Sequence, residues 1–474
     1  MGDRKTAVQF HNQGVAAAKD KSASTNLATA FQLFASACHA DPTWAHGYYQ
    51  YGNNLSELAN YKTSIAAYHR ALQCQITKHE EARIYANLGW SLYVDGQIEE
   101  SLKALNRSLE LDDTYPGTWT NLSQCYSLLD DEENAIKHAK RGFELDPDNP
   151  VSEAAYAFAL LFGRRLQEGF ERFEIRFKWR LHQFLQYPYP KWLGEPDKIV
   201  FLVADQGFGD TLCFARFVHA ASKRAKFIHA YVQPELMRLF MHAFVDIPNI
   251  NLLPFGSSFP QADAWTTFVS LPFALRLSDE EIRAAKQISY PVLHLPTTWM
   301  VPDQKLHIGI QWGGSKLNDI DKYRTIPVEY FLELCRVPGV HLYSIQVGEH
   351  AEEANAIGAH ALIKNLSPYI RDVCDTVSLL RDLDLVICCE SALGHICAMV
   401  KKECWIASSF QGRDYRIGHR ADDMLWSPRH RVFRQGKDRQ WGPVFNRIVE
   451  ALNERVGAGE KQDRLQGQRA AVLV

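Results

Sequence analysis

YANLGWSL (85–92) decides the fold of the first third of the chain, because the pattern recurs on both sides of it. YYQYGNNL (48–55) precedes it and TNLSQCYS (120–127) follows, with Gly52, Gly89 and Ser123 in matching places. These small residues stand 37 and then 34 positions apart, and the longer interval is the shorter one with three residues inserted near 75–80. Four positions before each stands Tyr48, Tyr85 or Trp119; three after stands Leu55, Leu92 or Tyr126. Ser64 and Tyr68, Ser101 and Leu105, and Ala135 and Ala139 continue the phase. A period of this length argues for stacked helix pairs, in which small residues let the paired helices approach and large ones fill the space between pairs.

Weaker copies lie around Gly14 and over 150–178, and Asp41-Pro42 and Asp146-Pro147 punctuate repeat ends. In these residues the chain resembles the tetratricopeptide family over about 6–180. The resemblance implies an all-α superhelix whose concave groove takes a peptide or protein. The same repeats also serve as rigid spacers or dimerisation surfaces, so a homo-oligomer stays open.

After residue 180 the periodicity changes. Apolar runs of β type at 199–204, 227–232 and 266–271 alternate with helical segments at 211–224 and 234–244. PVLHLPTTWMVP (291–302) has the composition of a linker. A second series follows, with strands expected at 307–312, 340–346, 383–389 and 404–409, and helices at 327–336 and 391–402. A last helix is expected over 442–455, then a polar, disordered tail. The expected domains are therefore 1–180, 181–300, 301–455 and a tail at 456–474. Alternating strands and helices define parallel α/β sheets, which bind ligands beyond the carboxyl ends of their strands.

Composition narrows the function. Lys plus Arg is 52 and Asp plus Glu is 55, a net charge of −3 over 474 residues. That balance does not neutralise many phosphates, so nucleic acid is not an expected partner. No apolar run is long enough to span a bilayer, and MGDRKTAVQFHNQG lacks the apolar core of a secretory leader. The ten cysteines form no Cys-x-x-Cys pair and lie in apolar segments, the pattern of reduced, buried thiols in a cytoplasmic protein rather than a zinc or disulfide framework.

Four polar clusters stand where strands end. Asp205-Gln206-Gly207-Phe208-Gly209-Asp210-Thr211 turns from the first strand into a helix, with Asp210 either its cap or a first-turn acid that serves as general base. Gln311-Trp312-Gly313-Gly314-Ser315-Lys316, followed by Asp321-Lys322-Tyr323-Arg324, joins close backbone approach to positive charge, which suits a diphosphate. Gln346-Val347-Gly348-Glu349 offers a carboxylate to ribose hydroxyls. Glu390-Ser391-Ala392-Leu393-Gly394-His395 opens another helix, whose free amides favour an anion, with His395 four residues from Ser391. Taken singly, each has an ordinary structural explanation as a cap, solvated loop, polar turn or buried histidine.

In order, these clusters, together with GFERFEIRFKWR (169–180), PKWLGE (190–195) and DLVICCESALGHICAM (384–399), resemble the glycosyltransferase-B fold. More closely, they are similar to tetratricopeptide glycosyltransferase-like proteins related to the heptosyltransferase and O-GlcNAc transferase-like families. The resemblance covers about 165–450. It implies two Rossmann-like halves, 181–300 on the acceptor side and 301–455 holding a nucleotide-diphosphate sugar. It implies Asp210 and His395 as catalytic residues, and Gln311, Lys316, Arg324, Gln346, Glu349, Glu390, Ser391 and Ala392 around the donor. The implied activity is metal-independent, inverting transfer of a hexosyl or heptosyl group to a protein or glycan, with no cofactor beyond the donor. The chain departs from the family pattern at Glu390 and Ser391, where Asp and Thr are usual, at Asp205 for Glu, and at Lys401-Lys402-Glu403 for Gly-Lys-Pro. The alternative expectation is a non-catalytic interaction scaffold carrying a degenerate transferase module.

Overall fold

The computed structural model describes residues 2–471 except 20–24, 179–186, 289–299, 302, 304, 317–319, 413, 419–423 and 428. The chain forms two compact units, Met1–Phe184 and Leu185–Val474.

The described helices of the first unit form antiparallel pairs: α1 (Arg4–Lys19) with α2 (Thr25–Ala40), α3 (Ala45–Glu57) with α4 (Tyr61–Leu72), and α5 (Lys78–Asp95) with α6 (Ile98–Leu111). Then come α7 (Pro116–Leu128) with α8 (Glu132–Leu145) and α9 (Pro150–Phe162) with α10 (Leu166–Phe173). The repeat read in the sequence is visible in the contacts. Ser64 Oγ donates to the Gly52 carbonyl at 2.8 Å, and Ser101 Oγ donates to the Gly89 carbonyl at 2.6 Å, each twelve residues back. A Cβ on Gly52 would lie 2.6 Å from the Tyr68 ring, and one on Gly89 would lie 2.5 Å from Leu105. Glycine is there because the partner helix passes too close for a side chain. Gly52→Val is therefore expected to destabilise the repeat unit by about 1–3 kcal/mol through overpacking. Urea unfolding checks this, and an unchanged midpoint would refute it.

The second unit opens with β1 (Ile199–Val203), α11 (Phe208–Phe214), α12 (Val218–Ser222), β2 (Phe227–Val232) and α13 (Pro234–Ala243). It continues with β3 (Ile250–Pro254), β4 (Ala264–Thr267), α14 (Leu271–Ala274) and α15 (Asp279–Ala284). A second series runs β5 (Leu306–Gln311), α16 (Asp321–Arg324), β6 (Val340–Ser344), α17 (Glu353–Ala356) and β7 (Ile363–Asn365). It ends with α18 (Val373–Asp382), β8 (Leu385–Cys389), α19 (Ala392–Met399), β9 (Cys404–Ser408), β10 (His430–Arg434) and α20 (Gly442–Ala471).

These strands make two parallel sheets, ordered β3-β2-β1-β4 and β10-β9-β8-β5-β6-β7. In the six-stranded sheet the winding reverses between β5 and β8, where Gln311 pairs with Cys388. A crevice opens at such a reversal, beyond the carboxyl ends of the strands. The central strands are buried on both faces, as crossover helices require. Ile308, Ile310, Leu385 and Ile387 lie in one core with Phe331, Leu334, Phe445 and Ile448. Cys388 and Cys389 point to opposite faces and both are buried.

Several boundaries differ from the sequence reading. The strand predicted at 266–271 is Ala264–Thr267, because the chain turns at Phe268 and α14 starts at Leu271. The helix predicted over 211–224 is α11 and α12 joined by a 3-10 turn, and the one over 327–336 is wholly 3-10. The edge strands β3, β7 and β10 and the helix α18 carry weak patterns and were not predicted. Where the sequence reading places a disordered tail from 456, α20 continues to Ala471. Most of the linker expected at 291–302 lies outside the described residues. All ten cysteines are free thiols, but Cys335 is exposed and Cys74 half-buried rather than buried.

Candidate functional site

α11 starts straight after the β1 turn, with Gly207 as its N-cap. Asp210 is therefore a first-turn acid, not the cap. Its Oδ1 forms an ion pair with Arg416 Nη1 at 2.9 Å. Arg416 is buried and also binds Asp414, with Nε 2.8 Å from Oδ1 and Nη2 2.6 Å from Oδ2. Asp414 lies 3.7 Å from His395 Nε2, and His395 Nδ1 lies 3.1 Å from Cys213 Sγ. A single chain of charge thus runs Asp210, Arg416, Asp414, His395, Cys213, joining α11 of one sheet layer to α19 of the other.

Electrostatics inside this chain set the charge of the histidine. Burial alone would lower the His395 pKa, but the Cys213 thiolate and the Asp414 carboxylate push it up to about 9. Burial likewise works against a Cys213 thiolate, yet His395 and Arg416 bring its pKa below the ordinary 9.0. Arg416 and His395 hold Asp414 well below the usual carboxylate range despite its burial. At neutral pH His395 is a cation. The stability it contributes is complete below 6.5, its ordinary value, and is lost as pH rises through about 9. The contribution of Cys213 has the opposite sign: it is present above 9.0 and is lost as pH falls through the thiol's lowered pKa. Cys213→Ser is expected to bring the imidazole titration down from about 9, as followed by histidine-selective NMR. An unchanged titration would remove the thiolate from the pair.

Across the β5–β8 reversal, Ser391 Oγ donates to Gln311 Oε1 at 2.5 Å. Ser391 also caps α19, accepting from the Leu393 amide at 3.3 Å. Gln346 is committed to the backbone: its Oε1 accepts from Trp312 and Gly313 at 3.1 and 2.9 Å, and its Nε2 donates to the Gly313 and Val347 carbonyls. It pins the glycine turn after β5. Arg324 rests against that turn, its Nε 3.0 Å from Asp321 Oδ1, which also accepts the Gly314 amide at 3.2 Å. Lys316 and Glu349 are exposed and pair at 3.6 Å. Glu390 is buried and accepts from Ser408 Oγ on β9. Ala392 opens α19, and a Cβ on Gly209 would meet its Cα at 3.4 Å and His395 Cδ2 at 3.0 Å.

The structure thus brings Asp210, His395, Gln311, Ser391 and Ala392 to facing strand ends. Arg324 stands against the turn that follows β5, Gln346 one strand away after β6, and Lys316 and Glu349 at the rim. Sequence reasoning missed Cys213, Asp414 and Arg416. Cys213 falls at i+3 from Asp210, and Asp414-Tyr415-Arg416 lies in a loop with no periodic signal. No group of three metal-ligating side chains occurs among the described residues. Of the Asp-x-Asp spacings, Asp146-Pro147-Asp148 lies in the repeat unit, Asp319-Ile320-Asp321 follows β5 with Asp319 outside the described residues, and Asp382-Leu383-Asp384 stands at the opposite end of β8, where Asp384 Oδ2 accepts the His307 amide at 2.7 Å.

In the repeat unit the first helices of successive pairs meet through amides. Asn87 Nδ2 donates to Asn53 Oδ1 at 2.8 Å and to Tyr49 Oη at 3.1 Å, and Tyr68 Oη donates to Asn53 at 2.8 Å. No described helix is long and apolar enough to cross a membrane.

Residues 82–115 and 116–149 match the tetratricopeptide repeat family model. Anaphase-promoting complex subunit 3 of Dictyostelium discoideum is 29% identical over 92 residues, 19% of this chain and 9% of that protein. The tetratricopeptide repeat-containing protein trd-1 of Caenorhabditis elegans is 33% identical over 75 residues, 16% of this chain and 10% of that one. The chain therefore spans about a tenth of these relatives. Among solved structures, MamA of Desulfovibrio magneticus shares 16% identity, with 37% of this chain and 95% of that one covered at a TM-score of 0.31. The YrrB structure shares 17% identity, with 36% and 85% covered at 0.28. Tetratricopeptide repeats are thus present in the N-terminal unit.

Proposed function

We propose that this chain is a tetratricopeptide-repeat glycosyltransferase of glycosyltransferase-B type. In this reading the α/β unit transfers a sugar from a nucleoside diphosphate to an acceptor hydroxyl. The repeats hold a peptide or protein that carries the acceptor. The observation that supports the reading is the meeting of two parallel-sheet strand ends at one charged chain, with a carboxylate on one side and a cationic histidine beside a helix N-terminus on the other.

Arg416 engages Asp210 Oδ1, which leaves Oδ2 to accept the proton of the acceptor hydroxyl. As that proton leaves, the acceptor oxygen bonds to the anomeric carbon and the bond from carbon to diphosphate oxygen breaks. The departing diphosphate is stabilised by the α19 amides, protonated His395, Arg324 and Lys316. The close packing of Gly209 on Ala392 means that α11 must move off α19 before a diphosphate enters. That packing is also what favours the second reading, a scaffold whose α/β unit is latched shut and only its repeats bind.

Arg324→Ala is expected to weaken nucleoside diphosphate binding by about 1.5–3 kcal/mol, the range for a charged hydrogen bond, as measured by calorimetry. Unchanged affinity would exclude Arg324 from the site. Wild-type protein that neither transfers nor hydrolyses any nucleotide sugar would leave the scaffold reading in place.

A further inference from the structure

Beside the β5–β8 crevice lies a cavity of about 200 Å³, distinct from the Asp210–His395 chain. It is lined by Lys322, Tyr323 and Thr325 from α16 and its exit, Ser409 and Gln411 after β9, and Gln435, Arg439 and Trp441 after β10. Pockets for drug-sized ligands usually run from about 300 to 1,000 Å³, so this one suits a single ring or a small anion. Two of its lining residues are cations and none is an acid. The nearby carboxylate of Asp438 is turned to the Gln440 amide at 3.2 Å.

The cavity is built rather than incidental. Arg439 has a left-handed backbone, φ +54°, which costs a non-glycine residue stability and persists only where the surroundings impose it. Here Gln435 imposes it: buried, it donates Nε2 to the Arg439 carbonyl at 2.9 Å and accepts the Phe410 amide on Oε1 at 3.1 Å. Gln411 Oε1 then accepts from Arg439 Nη1 at 3.2 Å and aims the guanidinium. Trp441 lines the cavity with an indole ring, and Lys322 Nζ lies 5.0 Å from the Tyr323 ring centroid. Ser409 Oγ donates to the Gln411 carbonyl and Thr325 Oγ1 donates to Asp321 Oδ2 at 3.0 Å, so these two oxygens face a ligand as acceptors.

Position gives the ligand its place. Along the sheet the order is Glu349 after β6, the Gln311–Ser391 contact at β5 and β8, then this cavity at β9 and β10. With ribose at the first, as the sequence pattern suggests, and diphosphate at the second, as proposed above, the third receives the sugar. We infer that the cavity holds the transferred sugar and that this sugar bears a carboxylate, a hexuronate, paired with Lys322 and Arg439. This inference rests on the donor reading for its geometry, while the cavity's own preference for a hexuronate is separately measurable.

The test compares uridine diphosphate glucuronate with uridine diphosphate glucose, and guanosine diphosphate mannuronate with guanosine diphosphate mannose, by calorimetry on the full chain. Free glucuronate, free glucose and inorganic phosphate are followed by ligand-observed NMR. Lys322→Gln and Arg439→Asn are the variants, Asn being chosen because it tolerates the left-handed backbone. The expected result is uronate binding about 10-fold to 100-fold tighter than the neutral twin, with that preference lost in both variants. Equal binding of the twins overturns the inference and leaves the donor reading intact. If no nucleotide sugar binds but free glucuronate does, and both variants abolish it, the cavity assignment stands and the donor reading falls. Failure of glucuronate in every form, or phosphate binding in its place, overturns the inference.

Discussion

Asp210→Asn is expected to lower sugar-transfer turnover by about 10²–10⁴-fold, the usual contribution of general base catalysis. The substitution keeps the shape of the side chain and removes only its charge and proton affinity. Donor affinity is expected to survive, because the proposed donor contacts lie on the six-stranded sheet. Gly207, not Asp210, caps α11, so no helix cap is lost. Arg416 retains two contacts to Asp414 and stays paired. The measurement is steady-state transfer to the acceptor alongside calorimetry with nucleoside diphosphate. A variant that keeps wild-type turnover would end the assignment of Asp210 as base.

Arg416→Leu is expected to cost about 3–5 kcal/mol of stability, the penalty for removing one partner from a buried ion cluster. Arg416 is the cation between Asp210 and Asp414, and without it those carboxylates face each other across the α11–α19 contact. Arg416→Lys is expected to recover part of the loss, since an ammonium restores charge but cannot reproduce the forked contact with Asp414. Urea unfolding of both variants provides the check, and a loss below about 1 kcal/mol for the leucine variant would show that the cluster contributes little. The reading of His395 as a cation depends on the same cluster, so its titration should move in both variants.

The repeats were legible because their information is periodic and local. Gly52 against Tyr68 and Gly89 against Leu105 are the same contact written twice, sixteen residues apart each time. The central strands β1 and β8 were equally plain, since burial on both faces makes them continuous apolar runs. The edges were not: β10 reads His-Arg-Val-Phe-Arg, with an exposed Arg431 among its five residues. At the site, sequence order placed each cluster at a strand end but could not show which side chains are spent on the protein itself. Gln346 looks like a ligand group and is a clamp on the Trp312–Gly313 turn. Arg416 stands in the stretch RDYRIG, but its role is not legible there, because of its two partners only Asp414 is close in the chain and Asp210 is far away.

The sheet order also sets a timetable for folding. Each repeat pairs a helix with its immediate successor, so it is complete once two helices have left the ribosome. Strand β5 has no such luxury: Ile308 pairs with Leu385, and the amide of His307 reaches Asp384 across 77 residues. Strand β6 reaches one edge of β5 early, but at about 5–20 residues per second the other edge waits several seconds for β8 to be synthesised. The α/β unit, not the repeats, is thus expected to be the slower part of this chain to complete, and slow elongation between residues 312 and 384 prolongs the exposure.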